Sequence, residues 1–200
     1  MTIRNIWAVG RNYAEHAQEL DNEIPNQTDS EPMVFLKAGS TAVINSKEFK
    51  IPAWAQNVHH EIELALQFNE HLKIDKAALA LDLTERTWQQ KLKAKGSPWT
   101  LAKSFTNSCP LSDFFTVDSL EELKNLNFSL TVNGELRQKG NTSQMIFPVP
   151  QLVEYILLHF PVCPGDLLLT GTPSGVAALQ RGDQLVAELP GKVHKQWKAL

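Results

Sequence analysis

Glu61 and Glu63, in the run VHHEIELAL (58–66), set two carboxylates two residues apart in an otherwise apolar segment. Side chains alternate along a strand, so His60, Ile62, Leu64 and Leu66 share one face and His59, Glu61, Glu63 and Ala65 the other. The glutamates then stand roughly 6–7 Å apart at the backbone, near enough to converge on one cation. In a partly buried cleft without a cation they repel, and one tends to keep its proton. A third carboxylate, Asp82, is embedded in LALDLT, where an aspartate is costly unless paired or ligating. Together they form an all-oxygen ligand set, which favours Mg2+ or Mn2+, with Ca2+ behind them, over zinc. The histidines show no zinc-type spacing. Two plainer readings stay open at this level: a solvated strand face for the glutamates, and a cap at a strand-to-helix junction for Asp82.

Short elements must position these groups. A strand is expected over 3–9, a helix over 12–20, a polar loop over 21–32, and strands over 33–37 (MVFLK) and 41–44 (TAVI). In IDKAALALDLTERTWQQKLK the pattern is read as a strand to Leu83, then a helix that Thr84 caps, with Arg86 and Gln89 on one face. Asn133-Gly134, between the alternating segments FSLTV and ELRQ, predicts a type I′ hairpin. PVPQLVEYILLHF reads as an amphipathic helix stopped by Pro161, and two turn-then-strand units follow. Many short strands with few helices predict a β-rich α+β fold, with residues 1–200 forming one domain.

A formal charge of −3 without basic or acidic blocks gives no reason to expect a nucleic-acid or membrane-surface partner. No apolar run approaches the ~18 residues of a membrane span, and the N-terminus lacks signal-peptide features. Cys109 and Cys163 are too few for a disulfide framework. The expectation is a reduced, cytoplasmic protein acting on a small substrate.

VGRNYAEHAQEL, FLKAGSTA, HHEIELAL, LDLTERTWQ, GSPWTLAKSFTNSCPLS, VNGELRQKGNTSQMIF and GDLLLTGTPSGV follow one another along the chain. In this order they resemble the fumarylacetoacetate hydrolase family, most of all its short single-domain branch of acylpyruvate hydrolases and oxaloacetate-processing enzymes. The resemblance implies a mixed β-sandwich roll, usually a homodimer, and a metal site of Glu61, Glu63 and Asp82. It implies His16 and Glu19 as a general-base pair and Lys103 as the cation beside an enolate. It further implies a loop at Gly171 and Thr172 that binds the substrate carboxylate, with Arg86, Gln89, Arg11 and Tyr13 lining the substrate end. Three features depart from the family pattern: a shortened Glu63-to-Asp82 interval, Thr87 in place of an aspartate, and Ala38-Gly39 in place of a proline.

The activity expected first is metal-dependent cleavage of the carbon–carbon bond of 3-acylpyruvates to pyruvate and a carboxylic acid. His16 would activate water for this, and Lys103 would hold the departing enolate. The alternative uses the same enolate without water, as an oxaloacetate decarboxylase or a keto–enol tautomerase of a 2-oxo dioate. A third reading, from another class, is a catalytically silent binding protein that keeps the fold.

Overall fold

The computed structural model describes residues 2–19 and 23–200. The chain begins with β1 (Asn5–Gly10), α1 (Ala14–Glu19), β2 (Met33–Ala38), β3 (Ala42–Val43) and β4 (Glu48–Phe49). Next come β5 (Val58–His60), β6 (Ile62–Phe68), β7 (Ile74–Leu81), β8 (Thr84–Glu85), α2 (Arg86–Ala94) and α3 (Thr100–Lys103). The third stretch holds β9 (Cys109–Pro110), β10 (Phe115–Thr116), β11 (Asn127–Val132), β12 (Glu135–Asn141) and α4 (Val149–His159). The last strands are β13 (Leu167–Leu169), β14 (Ala177–Ala178), β15 (Gln184–Leu189) and β16 (Val193–Ala199).

A mixed sheet of order β10-β7-β6-β13-β1-β2 faces a second sheet of order β12-β11-β15-β16-β4. Leu64, Leu66 and Leu79 of the first share one apolar cluster with Phe128, Leu130, Leu185 and Trp197 of the second. On the other face of the first sheet, Ala65, Ala78 and Ala80 pack with Ile6, Leu111 and Leu167 in a smaller cluster. Strand β6 is therefore buried on both faces, which explains why its pattern is nearly continuous in apolar residues. Two small sheets, β14-β5-β8 and β3-β9, complete the β-rich α+β architecture.

Several expectations hold locally. The β11–β12 hairpin turns at Asn133 and Gly134, with φ of 53° and 81°, the left-handed pair of a type I′ turn. Helix α4 ends at His159, two residues before Pro161. Other expectations need correction. The run 58–66 is not one strand: it breaks at Glu61, since β5 pairs with β14 and β8 while β6 pairs with β13 and β7. The helix expected from Thr84 starts at Arg86, because Thr84 is taken into β8 opposite His59 and its hydroxyl donates to the Asp82 carbonyl (3.1 Å). Glu85 is the cap instead, its carboxylate accepting the Trp88 N–H at 2.6 Å. Of TAVI only Ala42 and Val43 are strand, because Gly39–Thr41 form a 3-10 turn. The helix expected over 12–20 begins at Ala14; Leu20, with the start of the polar loop at Asp21 and Asn22, lies outside the described residues.

Candidate active site and metal centre

The strand break at Glu61 is what builds the site. Asp82 follows β7 and donates its N–H to the Glu61 carbonyl at 2.8 Å, while Glu63 sits in β6 opposite Ala80. The shortened interval between Glu63 and Asp82 is a plain β-hairpin turning at residues 69–73, where the Asn69 side chain accepts the N–H groups of His71 and Lys73. It shortens the excursion without moving Asp82 away from its partners. One oxygen from each of Glu61, Glu63 and Asp82 lies within 4.8 Å of the others. All three residues are buried, at 4%, 2% and 0% exposure, which rules out the solvated-face reading.

Three cations offset these charges. Lys103 Nζ bridges Glu61 Oε2 (2.8 Å) and Asp82 Oδ2 (2.5 Å). Lys37 Nζ donates to Asp82 Oδ1 (2.7 Å) and to the carbonyls of Leu83 and Lys103. Arg86 donates to Glu61 Oε1 (2.5 Å) through one Nη and to Gln89 Oε1 (2.6 Å) through the other. Burial works to raise the Glu61 pKa, but Lys103 and Arg86 outweigh it and hold the carboxyl well below the usual range. Glu63 goes the other way: burial first, then the neighbouring Asp82 charge, push it well above that range. For Lys103, burial works against the charge, and the carboxylates of Asp82 and Glu61 more than restore it. The three carboxylates thus fit a hard divalent ion such as Mg2+ or Mn2+: oxygen donors only, with one member, Glu63, least compensated by the protein's own cations.

His16 lies on α1 with its Nδ1 3.3 Å from Glu19 Oε2, and Glu19 is itself fixed by the Gly175 N–H at 3.0 Å. With Nδ1–H turned to the carboxylate, Nε2 is the basic nitrogen. His16 and Arg11 line one cavity with Glu61, Glu63, Asp82 and Lys103. An adjoining cavity of about 30 Å³ adds Arg86, Gln89, Lys93 and Trp99. Beyond Lys103 it meets a larger pocket of about 480 Å³ walled by Met33, Phe35, Pro98 and Trp99.

The remaining candidates are placed differently. Gly171 and Thr172 reach the cluster, but the Gly171 N–H goes to Glu63 Oε2 (2.6 Å) and the Thr172 hydroxyl donates to the Ile62 carbonyl (2.8 Å). Both donors are engaged on the carboxylate strand, and Thr172 also lines the cavity shared by His16, Lys103 and the triad. Tyr13 lines a separate cavity with Glu15, Lys139 and Ser174. Its buried hydroxyl has no partner among the described residues, and burial, then Glu63, raise its pKa. Thr87 accepts from Asn57 Nδ2 (3.2 Å), and Ala38 uses an N–H that proline lacks to donate to Ser104 Oγ (2.8 Å).

Sequence reasoning missed Lys37, Gln138 and Asn12. Lys37 carried a readable signal, a lysine inside an apolar strand, which is costly unless paired. Gln138 carried none. It sits on a largely exposed hairpin strand, yet its side chain joins His60 Nδ1 (2.9 Å), the Ile62 N–H (3.1 Å), Thr172 Oγ1 (2.8 Å) and the Pro173 carbonyl (2.9 Å). Asn12 ties the α1 end to the Thr170 carbonyl and to both backbone groups of Phe147.

Comparison with known proteins finds relatives that match nearly the whole chain. Oxaloacetate tautomerase FAHD1, a mitochondrial protein of Bos taurus, is 40% identical over 205 residues, covering 98% of this chain and 91% of its own. The mitochondrial oxaloacetate decarboxylase of Dictyostelium discoideum is 42% identical over 201 residues, covering 95% and 90%. A crystal structure of fumarylpyruvate hydrolase from Pseudomonas aeruginosa, in complex with Mn2+ and pyruvate, superposes with a TM-score of 0.89 at 29% identity, covering 99% of this chain and 90% of that one. Residues 5–196 match the model of the fumarylacetoacetate (FAA) hydrolase C-terminal domain, and the chain belongs to the fumarylacetoacetate hydrolase family.

Proposed function

We propose that this protein is a divalent-metal-dependent oxaloacetate tautomerase, moving the C3 proton of a four-carbon 2-oxo dicarboxylate. The observation that carries this reading is the meeting, in one cavity, of a Glu19-oriented histidine, a lysine fixed between two carboxylates, and the carboxylate triad. Glu61, Glu63 and Asp82 would hold Mg2+ or Mn2+, and a bound ion supplies Lewis-acid polarisation of the 2-oxo group. His16 Nε2 takes the C3 proton, and the imidazolium then delivers a proton to the enolate oxygen to give the enol, the reverse order giving the ketone, with Glu19 stabilising the imidazolium between the two transfers. Lys103 places a permanent positive charge beside the oxygen that becomes negative in the enolate. Relatives named as oxaloacetate tautomerase and decarboxylase at 40% and 42% identity support this over acylpyruvate hydrolysis, the activity expected first from sequence.

Hydrolysis remains the second reading, favoured by the 480 Å³ pocket beside Lys103, which offers an acyl chain an apolar wall. We also propose a homodimer acting in the cytoplasm. Strand β2 lies at a sheet edge with Leu36 45% exposed, which supports a covered edge; light scattering that gives a monomer would refute it. Among the described residues no helix is long and apolar enough to cross a membrane.

The test follows enol decay of oxaloacetate by ultraviolet absorbance, with acetylpyruvate monitored in parallel by proton NMR, both with Mg2+. The expected result is faster enol–keto exchange, falling by roughly 10²–10⁴-fold in His16→Ala, as for loss of a general base. Acetate from acetylpyruvate without faster enol exchange would transfer the assignment to the hydrolase, and no change in either would leave the binding-protein reading.

A further inference from the structure

We infer that Gln138 is a positioning residue of the metal centre: it sets the spacing of Glu61 and Glu63 for one ion by fixing the backbone of Ile62 between them, and it fixes the 171–175 loop that holds both Glu63 and Glu19. The inference rests on the metal-site part of the proposed function and goes beyond it, to a residue outside the carboxylate triad.

Strand β13 pairs with β6 as far as Leu169 opposite Ala65, and the Thr170 N–H closes the ladder on the Leu64 carbonyl at 3.1 Å. Two residues back along β6, at Ile62, side chains take the place of that strand. The Ile62 N–H donates to Gln138 Oε1 (3.1 Å), and its carbonyl accepts from the Thr172 hydroxyl (2.8 Å). Gln138 Nε2 donates to the same hydroxyl oxygen (2.8 Å) and to the Pro173 carbonyl (2.9 Å), which closes a ring through Ile62, Thr172 and Gln138. With His60 Nδ1 donating to Oε1 at 2.9 Å, every donor and acceptor position of the amide is filled. The Ile62 N–H can only donate and the Pro173 carbonyl can only accept, so the direction of the amide is fixed as well.

The ring lies where a small shift reaches the site. Glu61 and Glu63 flank Ile62, and Glu61 falls between β5 and β6, so the Ile62 backbone decides how far apart the two carboxylates stand. On the loop side, the Gly171 N–H holds Glu63 Oε2 (2.6 Å) and the Gly175 N–H holds Glu19 (3.0 Å). Thr172 and Pro173, the two loop residues that Gln138 binds, lie between those donors. Strand β12 is shaped for this approach. Its pairing with β11 slips by one residue at Arg137, a bulge that precedes the inward turn of Gln138 from a strand exposed at residues 135–137. The loop packs directly on that bulge, since an added Cβ on Gly175 would overlap the Arg137 carbonyl. One buried amide thus joins two ion ligands to the carboxylate that orients His16.

The test titrates the whole protein with Mn2+ and follows electron paramagnetic resonance, which counts the free ion and reads the symmetry of the bound one. Gln138→Met, similar in length but unable to make these bonds, should weaken Mn2+ binding by about 10–100-fold, the range for groups that orient metal ligands, and alter the bound-ion spectrum. Gln138→Asn keeps the amide on a stem too short to span from Ile62 to Pro173, and its affinity should fall between. Leu185→Ala, in the core of the same sheet, should lower the thermal midpoint while Mn2+ affinity stays within about twofold of wild type and the spectrum is unchanged. Affinity within about twofold of wild type in Gln138→Met, or in Gln138→Asn should the methionine variant not fold, overturns the inference. An equal loss in Leu185→Ala overturns it too, because general loosening then suffices. A wild type that binds no Mn2+ ends the metal reading and this inference together. A wild type that binds Mn2+ without speeding enol exchange, with the loss still seen in Gln138→Met, ends the tautomerase reading and leaves Gln138 its role.

Discussion

Replacing Lys37 by methionine should destabilise the metal-free protein by about 3 kcal/mol and leave the Mg2+-loaded protein far less affected. Lys37 is 0% exposed, and its ammonium meets Asp82 Oδ1 at 2.7 Å together with the carbonyls of Leu83 and Lys103. Methionine fills much the same volume, so the perturbation is mainly electrostatic. Removing one member of a buried ion pair costs about 3–5 kcal/mol, because the other charge stays behind. The lower end applies here: Asp82 keeps Lys103 on its second oxygen, and the Lys103 carbonyl keeps the Ser108 hydroxyl at 3.0 Å. Against a typical domain stability of about 5–15 kcal/mol, the loss is large. Mg2+ at the carboxylates restores positive charge beside Asp82, so it should stabilise the variant more than the wild type. Urea unfolding followed by tryptophan fluorescence, in chelator and in saturating Mg2+, reads both numbers; Trp7 and Trp197 are buried reporters. A loss below about 1 kcal/mol in chelator would refute the charge reasoning. So would an equal loss in both conditions, which would make Lys37 a packing residue. Adding Asp82→Asn should recover part of the loss, since neither charge is then stranded.

Glu63→Gln should abolish stabilisation by Mg2+ and flatten the pH dependence of stability in chelator. The folded pKa of Glu63 lies above its unfolded value. Its neutral form therefore contributes fully below the unfolded pKa, and the contribution is lost as pH rises toward the folded one, by about 1.4 kcal/mol per pH unit. The wild-type-minus-variant difference across that window, from urea titrations, isolates Glu63 from other titrating groups; a difference that grows in favour of wild type with rising pH would contradict it. Gly171→Ala should lower stability by about 1–3 kcal/mol and weaken Mg2+ binding. Gly171 has φ 96°, an added Cβ would lie 2.7 Å from Asn12 Cβ, and its N–H is what fixes Glu63. Thermal unfolding and Mg2+ titration check it, and wild-type values in both would exclude the strain.

The carboxylate triad was legible because burial is costly for each member in a way that local sequence exposes. An aspartate inside LALDLT is costly unless paired or ligating, and two glutamates on one strand face can converge on one ion; a solvated face and a cap stayed open until the resemblance joined the three. Alternation gave the right parity for Glu63 but the wrong reason for Glu61, which faces the cluster because the strand breaks there to change sheets. Such a break is set by pairing partners more than a hundred residues away, β13 and β14, and no window around Glu61 contains them. Gln138 was illegible for the same reason: its neighbours in sequence are exposed, and its role comes from the β5–β6 junction and the 172–173 loop. Thr84 misled because hydroxyl residues do favour caps, whereas here sheet pairing claimed it and left the cap to the next carboxylate.

Charge balance links the site to its substrate. With all three ionised, as ligands of an ion are, Glu61, Glu63 and Asp82 carry three negative charges, and Lys37, Lys103 and Arg86 carry three positive ones, so the liganding cluster is near neutral before the ion is counted. A divalent cation therefore enters a compensated site, and its two charges are surplus. A substrate that carries two carboxylates neutralises that surplus, whereas a monocarboxylate leaves one positive charge of the ion buried in the cavity. In a low-dielectric cavity an uncompensated charge is the costlier state, so ion and dicarboxylate should bind with positive cooperativity. Each should raise the affinity of the other by the same factor. For a monocarboxylate of equal length that factor should be smaller, since one charge of the ion then has no counterpart.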